Sequence, residues 1–233
     1  MLLGVDYMDI LCINNGNSKN LLDDIASKDS IIIIAHGIIG DIELMSEVDG
    51  DTVAVKDLLL LSKDKRLLII AGINAIIDDD RFCSAIVIDS GKLLGISNMT
   101  HGVGEDYYSL GNSLRIYDTS QGIIGVLIGQ DIFYPECMRV LRVSGANYIV
   151  YLDNGTSSNS AEVSASANSL ANGVYCIYSA IDDITIFDNN GKVIVKSDNN
   201  IWSGSVEIVS DKCRINTRRE EVYKRVYIES FYD

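Results

Sequence analysis

The chain has 233 residues, 47% of them apolar and 22% charged, which suits one large domain with a sizeable buried core. Its 33 acidic residues against 19 Lys and Arg give a formal charge of −14, which repels phosphate backbones and anionic lipid and argues against nucleic-acid or membrane partners. The longest apolar runs, Ile31–Ile34, Leu58–Leu61 and Leu67–Ala71, fall far short of the ~20 residues that span a bilayer. No basic start leading into an apolar run and a small-residue cleavage site is read at the N-terminus. The expectation is therefore a cytoplasmic protein in which Cys12, Cys83, Cys137, Cys176 and Cys213, none in a CxxC pair, are reduced thiols.

Taken in chain order, Leu2–Asp6 and Asp9–Ile13 bracket a first strand, and apolar residues at helical spacing from Ser18 to Ile25 predict a short helix. Ile31–Ile34 reads as a strand buried on both faces, Val55–Ser62 as a helix, and Leu67–Ala71 as another buried strand, followed by Gly72. Two hairpins come next. The first pairs Ala85–Ile88 with Leu93–Ile96, and the second pairs Ile184–Phe187 with Lys192–Val195. Both turn through Asp and Gly, residues that accept the positive φ of tight hairpins. The shared pattern of the two hairpins hints at a pseudo-two-fold relation between the halves of the chain. Between them lie strand Ile123–Ile128, a helix opened by the lone proline, Pro135, and running to about Val143, and strand Tyr148–Leu152. A helix rich in small residues occupies the Asp153–Asn172 stretch, ends at Gly173 as a C-cap and leads into strand Val174–Ser179. This mixture of buried runs, hairpins and helices predicts an α/β sandwich with no domain boundary. The aromatic tail from about residue 214 is expected to dock on something.

One block stands out: Gly125-Val-Leu-Ile-Gly129-Gln130-Asp131-Ile-Phe-Tyr134-Pro135-Glu136. It resembles the nucleophile elbow of the nitrilase (carbon–nitrogen hydrolase) superfamily, in which a strand ends in Cys, then an aromatic residue and Asp, before Phe-Pro-Glu opens a helix. Arg142–Val150, with its Ser-Gly-Ala-Asn turn, is similar to that family's helix end, Gly-Ala-Asp turn and next strand. In matching order, Ile31–Gly37 resembles the strand ending in Pro-Glu, Phe82–Met99 the hairpin before Tyr-Arg-Lys, and Leu170–Tyr175 the Glu-Asn-Gly segment. The resemblance covers roughly residues 1 to 208. It implies an α-β-β-α sandwich, one domain over residues 1–233. It also implies pairing through the helix at Pro135–Val143 and through the tail Tyr223–Tyr232, as a homodimer or as a heteromer with an active paralogue.

The family's chemistry needs a Cys nucleophile, a Glu base and a Lys that stabilises the oxyanion. The resemblance places Gly129, His36 and Met99 at those positions. Glycine has nothing to attack with, and methionine carries no charge. Glu105, Gln130, Asp131 and Tyr134 remain as pocket candidates. His36 reads either as a new base or as a filler of a disused pocket, and Asp131 as an acceptor for backbone donors at the elbow and helix start. Ala171 and Asn168 stand where the family has an ion pair behind the site, so that support is expected to have relaxed. No cofactor is implied, and no fixed spacing supports His36, His101, Glu105 and Asp131 as metal ligands. Three roles are open: a catalytically inactive homologue that binds a small molecule or supports another subunit, a divergent C–N hydrolase using His36, Glu105 or Asp131, or a purely structural protein.

Overall fold

The computed structural model describes residues 5–14, 30–43, 54–102, 107–155 and 159–209. The helix expected at Ser18–Ile25 and the tail from about residue 214 lie outside them. The first half of the chain supplies β1 (Val5–Ile13), β2 (Ile31–Ile34), β3 (Asp41–Glu43), α1 (Ala54–Lys65), β4 (Leu68–Ile77), β5 (Asp80–Asp89) and β6 (Lys92–Asn98). The second half supplies β7 (Ile116–Thr119), β8 (Gly122–Ile128), a 3-10 turn (Gly129–Phe133), α2 (Pro135–Val143), β9 (Tyr148–Leu152), α3 (Asn159–Asn172), β10 (Tyr175–Ser179), β11 (Ile184–Phe187) and β12 (Val193–Ser197). The last described strand, β13 (Ile201–Val209), returns to the first sheet.

The strands form two sheets, ordered β13-β1-β2-β4-β5-β6, with β3 alongside β4, and β12-β11-β10-β9-β8-β7. One plan underlies both. In the first sheet β1, β2 and β4 run parallel, the hairpin β5–β6 extends them antiparallel on one side and β13 flanks them antiparallel on the other. In the second, β8, β9 and β10 run parallel, with hairpin β11–β12 on one side and β7 on the other. The two hairpins that share a sequence pattern thus occupy equivalent stations.

Alternation of side chains at period two builds the layers. Ile31 and Ile33 point into the core between the sheets, where they meet Val126, Ile128, Val150 and Ile177. Ile32 and Ile34 point outward to the layer that holds Val55 and Leu58 of α1. On the far side, Leu127, Ile149, Tyr151 and Cys176 face Met138 and Leu141 of α2 and Ala161 and Ala165 of α3. This is an α-β-β-α sandwich. None of the described helices is long and apolar enough to cross a membrane.

Two departures from the sequence expectation bear on the site. Strand β4 does not stop before Gly72 but runs on to Ile77 and turns back through Asp78 and Asp79, both at positive φ (51° and 70°). Gly72 marks a close approach rather than a strand end, since a Cβ there would lie 2.5 Å from the Cα of His36. Strands β3, β7 and β13 were not anticipated. At the other end of the chain Gly173, at φ +59°, closes α3 as expected, and the amide of Val174 donates to the carbonyl of Ser169.

Candidate active site

In α/β sheets ligands gather beyond the carboxyl ends of parallel strands. Here His36 follows the end of β2, Gly129 the end of β8 and Asn154 the end of β9, while Met99 follows β6. Strand β8 passes from Ile128 in extended backbone into Gly129 at φ +52°, and the chain then winds through the 3-10 turn into Pro135 at the start of α2. That is the strand-to-helix elbow the sequence motif implied. The space a side chain at the elbow would fill is occupied: a Cβ on Gly129 would stand 2.7 Å from Sδ of Met99 and 2.9 Å from Cγ of Asn154. Met99 is itself buried, and Asn154 Nδ2 lies 3.9 Å from its sulfur.

His36 is buried, its Nε2 2.9 Å from the carbonyl of Ile73 and 3.3 Å from Sγ of Cys83. Burial, aided by the charge of Arg81, lowers its pKa and favours the neutral ring. A carbonyl oxygen only accepts, so Nε2 carries the ring proton and donates it to Ile73. The same nitrogen cannot then take a proton from Cys83. Burial pushes the Cys83 thiol up to about 12, against a hydrogen bond from Asn154, so this cysteine is a packed thiol rather than a displaced nucleophile. Cys83 and Asn154 are the members of the cluster that the sequence pattern did not single out. Cys83 is detectable only as an inward-facing position of β5, and Asn154 only as a polar residue directly beyond a buried strand.

Asp131 is buried, and its carboxylate accepts from the backbone amides of Thr100 and His101, from the Thr100 hydroxyl and from His101 Nδ1, all at 2.8–3.1 Å. The donors come from the loop after β6, not from the elbow and helix start as expected. The side chain ties two loops together across the mouth of the site. His101 stacks on Tyr134, ring centroids 3.9 Å apart, and Cys137 on α2 turns toward His101 (3.5 Å) rather than toward Gly129. Gln130 sits half-buried in the 3-10 turn. Glu105 lies outside the described residues. Behind the elbow, Asn168 donates to the carbonyl of Ile132 at 2.9 Å, and Asn172 donates to Asn168. Neutral amides, not an ion pair, make these bonds, and Ala171 offers no polar side chain to them. A further buried bond, Ser179 to Asn14 at 3.0 Å, links the ends of β10 and β1 across the two sheets.

A cavity of about 420 Å³ begins one residue beyond Asn154, at Gly155, and is lined by Glu162, Tyr178, Asp182 and Asp183 among others. Lys196 binds Glu162 at 2.8 Å beside it.

The chain matches the carbon-nitrogen hydrolase family over residues 29–203. Among solved structures it is similar to a carbon-nitrogen hydrolase from Helicobacter pylori G27, with a TM-score of 0.73 at 14% identity, covering 94% of this chain and 98% of that one. It is also similar to Nit3 of Saccharomyces cerevisiae, a member of branch 10 of the nitrilase superfamily (TM-score 0.71, 14% identity, 93% and 94% covered). A third is an amidase from Nesterenkonia sp. (TM-score 0.71, 13% identity, 94% and 95% covered). No curated protein matches the chain in sequence. The match over most of the length and the sandwich with its elbow agree: the chain belongs to the carbon–nitrogen hydrolase family.

Proposed function

We propose that this family member has lost C–N bond hydrolysis and acts by binding, as a subunit that supports a second copy or an active paralogue, or as a receptor for a small molecule. One observation carries the reading. A mutant of the amidase from Nesterenkonia sp. AN1 shows covalent addition of the acetamide moiety of fluoroacetamide at its active site cysteine; at the elbow, where the family resemblance puts the nucleophilic cysteine, this chain has Gly129, and the sulfur of Met99 fills the space. Without a nucleophile no thioester forms. A divergent hydrolase using Asp131 is disfavoured, because Oδ1 of its carboxylate is tied to donors of the loop after β6, and His36, buried with Nε2 committed to Ile73, has only Nδ1 left to act as a base.

Of the two binding roles, the packed elbow favours the supporting subunit. Helix α2 presents Val140 (49% exposed) and Val143 (43%) to solvent, apolar positions suited to a helix-on-helix contact. The decisive experiment is intact-mass analysis after incubation with fluoroacetamide, acrylamide and simple nitriles, alongside ammonia release. No adduct and no turnover are expected. An adduct formed at one cysteine far faster than at the same thiol in the unfolded chain, or turnover that His36→Ala abolishes, would overturn the proposal.

A further inference from the structure

Beside the elbow, three groups of the kind that bind transition metals converge from three separate elements. His101 comes from the loop after β6, Asp131 from the 3-10 turn and Cys137 from the first turns of α2. Their ligand atoms all lie within 4.8 Å of one another, with Nδ1 of His101 3.0 Å from Asp131 Oδ1 and 3.5 Å from Cys137 Sγ. A zinc tetrahedron built from ordinary Zn–N, Zn–O and Zn–S bonds has ligand–ligand edges of roughly 3.3–3.6 Å, so small side-chain shifts bring the three into register. The cluster is not a displaced Cys-His-Asp triad. Such a triad uses the two ring nitrogens for its two partners, whereas here thiol and carboxylate crowd the same nitrogen.

We infer that His101 Nδ1, Asp131 and Cys137 Sγ form a binding site for a divalent first-row cation of the zinc type, with one coordination position left for water or a small anion. The mixed N, O and S donor set selects zinc-like ions over magnesium or calcium. The surroundings already supply an outer shell. Tyr134 stacks on the imidazole and holds its plane. The backbone amides of Thr100 and His101, with the Thr100 hydroxyl, orient the carboxylate. Among the described residues Oδ2 takes only the Thr100 amide, at 3.1 Å, and keeps lone-pair capacity for the ion. Cys137 and Asp131 are buried, while the His101 side chain is 37% exposed, which gives the ion an entry and sets the open position toward solvent. On binding, the Cys137 thiol releases its proton to solvent, and the imidazole proton that Nδ1 gives to Asp131 is exchanged through solvent onto Nε2, which frees the Nδ1 lone pair for the ion.

Cobalt(II) reports on such a site directly. Titration of the full chain, reduced and stripped with chelator, is expected to saturate at one equivalent. It should yield the visible bands of a four-coordinate ion and a thiolate-to-cobalt charge-transfer band, both erased by added zinc. Cys137→Ser should remove the charge-transfer band and weaken binding at least about tenfold. His101→Ala, a change at a partly exposed side chain, should also weaken binding at least about tenfold, and Cys83→Ser should leave the spectrum intact. Circular dichroism confirms that each variant folds, and if Cys137→Ser does not, the His101→Ala titration decides. An absence of cobalt bands in the unmodified protein, or bands that persist unchanged in Cys137→Ser or His101→Ala, overturns the assignment.

Discussion

Gly129 joins two constraints that a restored nucleophile would have to meet together. Its φ of +52° is left-handed backbone, and its missing Cβ leaves the space taken by Met99 and Asn154. Gly129→Cys should therefore lower stability by about 2–6 kcal/mol, the sum of backbone strain and overpacking, without creating amidase activity. Adding Met99→Ala should recover part of that loss, because the two sites touch and their effects are not additive. Equilibrium urea unfolding of the single and double variants measures both. If Gly129→Cys alone is as stable as the parent and hydrolyses amides, the packed-elbow account fails. His36 supplies a second test. Burial lowers its folded pKa below the ordinary 6.5, so the unfolded chain binds the extra proton first. Stability from the neutral ring is complete above 6.5 and is lost as pH falls from there toward the depressed folded value. Between about pH 6.5 and the onset of carboxylate titration near ~5, the parent should weaken with acid more steeply than His36→Gln, which keeps a donor for Ile73. Equal slopes in urea unfolding across that window would show that His36 protonates freely in the fold.

At the scale of elements, what could be read from the sequence depended on how much of each signal was local. Ile31–Ile34, Tyr148–Leu152 and Pro135–Val143 fall where periodicity and the proline placed them, because β-branched runs and an N1 proline carry their own conformational preference. Strands β3, β7 and β13 carry no such mark. They are short or half-exposed edge pieces that exist because a neighbouring strand offers unpaired amides, which is tertiary information. Gly72 misled for the same reason: its lack of a side chain answers the backbone of His36, 36 residues earlier in the chain. The elbow was legible because Gly129, Asp131 and Pro135 sit close together in one block. The cluster around His101 was not, since its three ligands come from positions 101, 131 and 137 and meet only when the loop after β6 folds over the 3-10 turn. Asp131 was correctly seen as an acceptor, but its partners on Thr100 and His101 lie about 30 residues away, beyond any local pattern.

For the whole molecule, the question is whether a chain of charge −14 associates with itself. Uniform self-repulsion opposes pairing, and salt screens it over a Debye length of about 8 Å at physiological ionic strength. The α2–α3 face offers an apolar counterweight in Val140, Val143, Val163 and Leu170, all 43–66% exposed. It also carries Arg139, whose Nη2 donates to the Ala171 carbonyl and so links the two helices. If this face is the contact of a supporting subunit, apolar burial drives the association while net charge resists it. Raising the salt from low to physiological should then shift sedimentation velocity profiles toward the dimer, whereas a contact held by ion pairs would loosen. Val140→Asp, which sets a carboxylate on the exposed side of α2 on an already acidic protein, should leave a folded monomer at every salt concentration. A dimer that survives Val140→Asp, or one that weakens with salt, would move the contact off α2. The supporting role would then have to rest on another surface.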